Sequence, residues 1–282
     1  MLLASLLLQA VLILTPAQAE NSVNWIGKNR PQCQAPFVRN NPQLKRAIEV
    51  LAPAALLIKC GESMGSAAYL DTPSRRVIVS AEHIVSNYTF KNGEFKVGKV
   101  TNPIHCSVLN PVTKQWVAVN PAVPPQLGHP LGKLNLQAPN DWMVLALETP
   151  VVGVRGLEIA EPGDLKPDTE VLLIGAVGWS GKKQINCSYM NICTNRDQWI
   201  GEGFATYNYT DCSSTSGQSG GPLVIRDPRT GDFKAAAILS GSTVDLPRGS
   251  AYNKLKMSTS VIALDGPVLR AIQLVDEQAR GR

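Results

Sequence analysis

The rhythm of the middle of the chain limits the possible folds more than any other feature. Short apolar or alternating runs follow one another at residues 54–60, 65–70, 77–81, 95–100, 105–109, 116–119 and 142–147. Turn-forming clusters such as Gly61-Glu62-Ser63 and Thr72-Pro73-Ser74 separate them. Runs of this length between turn residues read as strands, and a series of them without a long helix suits a small closed barrel. After a connecting stretch at 148–164, similar runs resume at 171–176, 199–207, 223–226, 234–240 and 258–263. Helical spacing occurs in two places: Leu44, Ala47, Ile48 and Leu51, then Val268, Leu269, Ile272 and Val275. The 23 glycines and 20 prolines agree with many turns. The expectation is an all-β chain of two antiparallel six-stranded β-barrels, at 53–158 and 159–265, closed by a C-terminal helix at 266–282.

Charge removes one class of function. A net charge of +5 over 282 residues, with no dense Lys/Arg run, is not the footprint of a nucleic-acid binder. Residues 1–19 carry no charged side chain and end in Thr15-Pro16-Ala17-Gln18-Ala19, a small-x-small pattern suited to signal-peptidase cleavage after Ala19. The apolar part is about 14 residues, short of the ~20 that span a bilayer, so export without a retained membrane span is expected. The six cysteines, Cys33, Cys60, Cys106, Cys187, Cys193 and Cys212, then suit an oxidising compartment and up to three disulfides. No C-x-x-C pair suggests a zinc knuckle or a redox motif. A bridge from Cys187 or Cys193 to Cys212 would fix the approach to Ser219, seven residues on. Residues 20–52 read as an extension: a propeptide, a disordered leader, or a brace tethered through Cys33.

The strongest chemical signal is Ser216-Gly217-Gln218-Ser219-Gly220-Gly221-Pro222-Leu223. Acyl transfer needs an exposed serine hydroxyl and backbone N–H groups aimed at the developing oxyanion. Glycines around Ser219 permit the tight turn that points the N–H groups of Gly217 and Ser219 inward. A plain Gly/Ser turn is the bland alternative. The α/β-hydrolase reading of the same pattern fails, because no histidine lies downstream of Ser219. Of three histidines, His83 ends an apolar strand and is the candidate base; His105 and His129 read as surface or packing residues, and the three share no metal-ligand spacing. Asp141 stands before the run Trp142-Met143-Val144-Leu145-Ala146-Leu147, where a carboxylate can orient the base. Asp71, Asp164 and Asp168 sit in turns.

Three motifs in this order resemble the chymotrypsin-like (trypsin-like) serine proteases. Ser80-Ala81-Glu82-His83 is similar to that family's T-A-A-H, Asn140-Asp141-Trp142-Met143-Val144-Leu145 to its N-D-I-A-L-L, and Gly217-Gln218-Ser219-Gly220-Gly221-Pro222 to its G-D-S-G-G-P. The resemblance covers residues 53–280 and implies a chymotrypsin-like pair of barrels with the active site between them. It implies that His83, Asp141 and Ser219 are catalytic, with Gly217 and Ser219 as oxyanion donors. It also places Ser213 at the base of the substrate pocket and Ser240, Gly241 and Ser242 on its far wall. Three departures matter. Gln218 replaces the aspartate that pairs with a new N-terminus in animal digestive members, which points to the bacterial, glutamyl-endopeptidase-like branch. Ile84 replaces a common cysteine, and the uncharged Ser213 argues against an Arg/Lys preference. With Leu239 where a pocket histidine might stand, a neutral P1 residue is expected before an acidic one. The implied function is a secreted or periplasmic, monomeric serine endopeptidase acting on polypeptides through an acyl-enzyme, with no cofactor or metal. The alternative is a catalytically inactive binding module of the same fold.

Overall fold

The computed structural model describes residues 49–281 except 87, 92–93, 131–137, 177–178, 181–182, 185–188, 213, 215–216, 243–251, 253 and 255–257. The expectations for the leader at 1–19, for most of the 20–52 extension, and for Cys33, Cys187 and Ser213 fall outside the described residues. So do the first residues of the helical stretch at 43–51; residues 49–51 are helical.

The first half contains β1 (Ala55–Cys60), β2 (Ser63–Tyr69), β3 (Val77–Ser80), a single helical turn α1 (His83–Ser86), β4 (Tyr88–Lys91), β5 (Glu94–Val97), β6 (Cys106–Leu109), β7 (Trp116–Ala118), β8 (Gln126–Leu127) and β9 (Met143–Ala146). Seven of these strands form one curled sheet in the order β7-β6-β1-β2-β3-β9-β8, with every described pair antiparallel. The sheet has seven strands where six were expected, and it curls until its ends meet: the Asn120 N–H donates to the Ala146 carbonyl at 2.8 Å and the Glu148 N–H to the Ala118 carbonyl at 2.9 Å. A bridge between Val119 and Leu147 joins the chain beyond β7 to the chain beyond β9. The two-residue β8 adds the seventh strand, and two residues carry no readable alternation. A disulfide joins Cys60 and Cys106, which face each other across the β1–β6 ladder.

The second half contains β10 (Glu170–Gly175), β11 (Trp179–Ser180), β12 (Lys183–Gln184), β13 (Tyr189–Trp199), β14 (Tyr207–Thr210), β15 (Pro222–Arg226), β16 (Phe233–Ser242) and β17 (Thr259–Ala263). Six of them close into a barrel, β10-β13-β14-β17-β16-β15. The strand expected at 199–207 is instead the end of β13, a turn, and the start of β14. The chain reverses at Gly201, whose carbonyl accepts the Phe204 N–H at 3.2 Å. The second disulfide, Cys193–Cys212, ties β13 to the segment that leads out of β14.

Alternation decides the packing. Along β10, Val171 and Leu173 belong to one buried cluster with Leu223, Ile225, Ala237, Leu239 and Val261. Their neighbours Leu172 and Ile174 join Val224, Ile238 and Ile262 in a larger cluster that also holds the first sheet. Both faces are thus buried, which is why these strands read as continuous apolar runs. The final helix α2 (Gly266–Arg280) follows the second barrel in sequence but rests on β9 and β3 of the first sheet. Its buried stripe is Val268, Ala271, Ile272, Val275 and Ala279. Complete burial of a residue such as Ile272 or Val275 stabilises by about 1.5–3 kcal/mol. Asp276, also buried on this helix, accepts the Ser74 N–H at 2.9 Å and meets Arg280 at 3.2 Å. Among the described residues, no helix is long and apolar enough to cross a membrane.

Candidate active site

His83 opens α1 at the end of β3, and Asp141 stands just before β9, the strand hydrogen-bonded to β3. Adjacent strands thus deliver both side chains to the same sheet end. The Asp141 carboxylate holds the histidine twice: Oδ1 accepts the His83 backbone N–H at 2.8 Å, and Oδ2 lies 2.8 Å from Nδ1. Ser240, from β16 of the second barrel, donates its hydroxyl to the same Oδ2 at 2.7 Å. The His83 and Asp141 side chains are 25% and 15% exposed, sheltered yet within reach of a ligand. Burial is the largest influence on His83 and disfavours its proton. The Asp141 charge and hydrogen bond together outweigh it, so His83 binds its proton more tightly than an ordinary histidine.

The loop at 217–221, which holds the candidate nucleophile Ser219, lies against β2 and the end of β3. The Ser219 carbonyl accepts the Ser66 N–H at 2.7 Å, and the Ser66 hydroxyl donates to the Gly217 carbonyl at 2.7 Å. Ser80 returns a bond from the histidine strand to the Ser66 carbonyl at 2.6 Å. At Gly220, φ is +79° and an added Cβ would overlap the Ser66 carbonyl and the Ser80 hydroxyl. Only glycine lets the loop lie this close to the end of β3. Gly217 also has positive φ, +91°. Among the described residues, neither the Gly217 nor the Ser219 N–H has a hydrogen-bond acceptor, and the Ser219 hydroxyl makes no hydrogen bond.

This fold and order of motifs coincide with a known family. The family model of the trypsin-like peptidase domain matches residues 65–232, more than half of the 282. The chain belongs to this family. The trypsin-like peptidase is a serine endopeptidase by that membership. No curated protein sequence matches it. Among solved structures, it is similar to the Rv3671c protease of M. tuberculosis in its inactive form, with 14% identity and a TM-score of 0.51. That match covers 88% of this chain and 99% of the other. It is also similar to a Glu endopeptidase in complex with MPD, with 12% identity and a TM-score of 0.58, covering 89% and 99%. At such identities the two structures speak for the fold alone.

Elsewhere around the site, the structure adds partners that the sequence did not show. Ser240, expected on the pocket wall, turns its hydroxyl to Asp141. Gly241 and Ser242 end β16, opposite Ser260 and Thr259 of β17. Beside them lies a pair that sequence reasoning missed. The buried Thr259 hydroxyl donates to the Cys212 carbonyl at 2.7 Å and lies 3.1 Å from the Ser214 hydroxyl. Ser66 was also missed, since no motif marks a serine whose partners are 110 and 151 residues away. Gln218 is fully buried and packs on Gly175, whose missing side chain makes room for it. Ile84 fills the space against Gly65. His105 is exposed, whereas His129 is buried at 8% exposure, as a packing residue should be.

Proposed function

We propose that this peptidase is secreted and cleaves polypeptides through an acyl-enzyme on Ser219, with His83 as base and Asp141 as its orienting carboxylate. The observation that carries the reading is the double grip of Asp141 on His83, through the backbone N–H and through Nδ1. That grip presents the other ring nitrogen, Nε2, for proton transfer and stabilises the imidazolium. Ser219 Oγ attacks the scissile carbonyl while His83 takes its proton. His83 then hands the proton to the leaving amine, and water repeats the cycle on the ester. The N–H groups of Gly217 and Ser219 receive the oxyanion, each contributing about 3 kcal/mol of barrier lowering.

Export is supported by the uncharged apolar leader at 1–19 and by the two described disulfides. A division into barrels at 53–158 and 159–265 with a terminal helix at 266–282 is supported by the separation of most strands into two main sheets. The uncharged hydroxyls of Ser214 and Thr259, beside the position expected for the pocket base, favour a neutral P1 residue.

The test is intact mass after incubation with a fluorophosphonate, alongside Ser219→Ala. One adduct on the wild type and none on the variant is the expected result. An unlabelled, folded wild type would mean a protease fold kept for binding.

A further inference from the structure

Glu82 occupies a position where the motif that this chain resembles has alanine, directly before His83. It is 2% exposed, in the turn between β3 and α1, and its carbonyl accepts the Val85 N–H at 2.9 Å. Its side chain reaches across to the loop after β8, where Oε2 accepts the His129 N–H at 3.0 Å. That loop is itself pressed against both neighbours of Asp141. The Gly128 N–H donates to the Trp142 carbonyl at 2.8 Å, and an added Cβ at Gly128 would overlap the Asn140 carbonyl. One buried carboxyl therefore joins the turn carrying His83 to the backbone that supports Asp141 from behind.

We propose that Glu82 is a positioning residue for the His83–Asp141 pair, a buried carboxyl that clamps the 128–129 backbone to the histidine turn. The inference rests on the triad reading above. Its chemistry follows from what surrounds the side chain. Among the described residues, the one charge acting on Glu82 is that of Asp141, which repels an anion, and no cation offsets it. His129, whose N–H is the clamp's donor, contributes no positive charge: burial lowers its proton affinity, only partly opposed by Asp141. Burial is the main reason the Glu82 carboxyl titrates at about 8. The His129 N–H works against this, and Asp141 adds to it.

In the neutral form, Glu82 accepts the His129 N–H without placing a second anion beside His83. Ionisation would set two carboxylates against each other in a sheltered site. Their combined charge would hold the proton on His83, which must be neutral to act as base. A glutamine has the same length and the same acceptor but cannot ionise. An alanine leaves the buried His129 N–H without its partner.

Fluorophosphonate labelling rates from pH 6 to 10 test the clamp, with wild type, Glu82→Gln and Glu82→Ala compared and Ser219→Ala as blank. In wild type the rate should fall at least fivefold between pH 7 and 9, with a midpoint near 8. In Glu82→Gln the same ratio should change less than twofold. Glu82→Ala should label at least tenfold more slowly than wild type at pH 7. Stability supplies a second readout. A carboxyl that titrates higher when folded weakens the native state as pH rises from its unfolded value toward 8, so the melting-temperature gain of Glu82→Gln should widen between pH 5 and 8. Superimposable profiles for wild type and Glu82→Gln, in enzymes that do label, overturn the clamp alone. A wild type silent at every pH overturns the triad reading, and the clamp with it.

Discussion

At the scale of single residues, Asp141 answers to three donors with two oxygens. Two come from His83, and the third is Ser240 on the opposite half of the molecule. A hydrogen bond to a charged group is worth about 1.5–3 kcal/mol. Ser240→Ala should therefore lower kcat/KM about ten- to hundredfold at pH 8 while the melting temperature moves only a few degrees. The pH profile should keep its acid limb above the ordinary histidine value of 6.5, because His83 is raised and works as base only once neutral. The same shift gives His83 a stabilising contribution that is full below its unfolded pKa and lost as pH rises through the folded one. His83, Asp141 and Ser219 were legible because each stands at the border between an apolar strand and a turn, with its motif around it. Ser240 was legible only as a pocket-wall serine, through the resemblance, and not as a partner of Asp141. Its role comes from a partner 99 residues away, and spacing along the chain holds no trace of that.

At the scale of elements, the Cys193–Cys212 bridge matters most to the site. It joins β13 to the start of the segment that leads toward Ser219, over a sequence separation of 19. Thr259 holds the same point from the other side through the Cys212 carbonyl. Closing a loop of this size restricts the unfolded chain by about 3 kcal/mol. The paired exchange Cys193→Ala and Cys212→Ala should lower unfolding stability in urea by roughly that amount. Of the two partners foreseen for Cys212, the structure selects Cys193. β13 itself escaped the sequence reading. Its buried Asn195 is matched by Asn208 of β14 at 3.0 Å, so an inward position carries a polar residue and breaks the apolar alternation. The strands of β1, β3, β9, β10 and β15 were found because apolar side chains cover most of their length.

At the scale of the whole molecule, the two halves are held together by long-range bonds. Ser66 and Ser240 cross between the sheets at the site, and α2 crosses on the outside. Asp276 fastens that helix to the turn between β2 and β3. Burial alone would raise its carboxyl. The Ser74 and Thr72 donors and Arg280 reverse this and hold it below the usual carboxylate range. Its contribution is thus present above the unfolded value and lost as pH falls through the lower folded one. Asp276→Ala should cost about 1–3 kcal/mol at pH 7, from the Ser74 N–H left unpaired. Thermal melts should show the gap from wild type closing below pH 3. The closed second barrel and the helix were foreseen. The seventh strand of the first sheet, β8, was not, because two residues carry no alternation to read.

The crossing of α2 sets an order of events on the ribosome. The chain makes the first sheet early, yet the surface of β3 and β9 is covered only when residues 266–280 emerge, after Ser219 and every strand of the barrel. The strand pair that bears His83 and Asp141 thus waits, with its outer side bare, until the second barrel has been translated. Sequence order therefore supplies the cover for β3 and β9 after every strand of the described sheets.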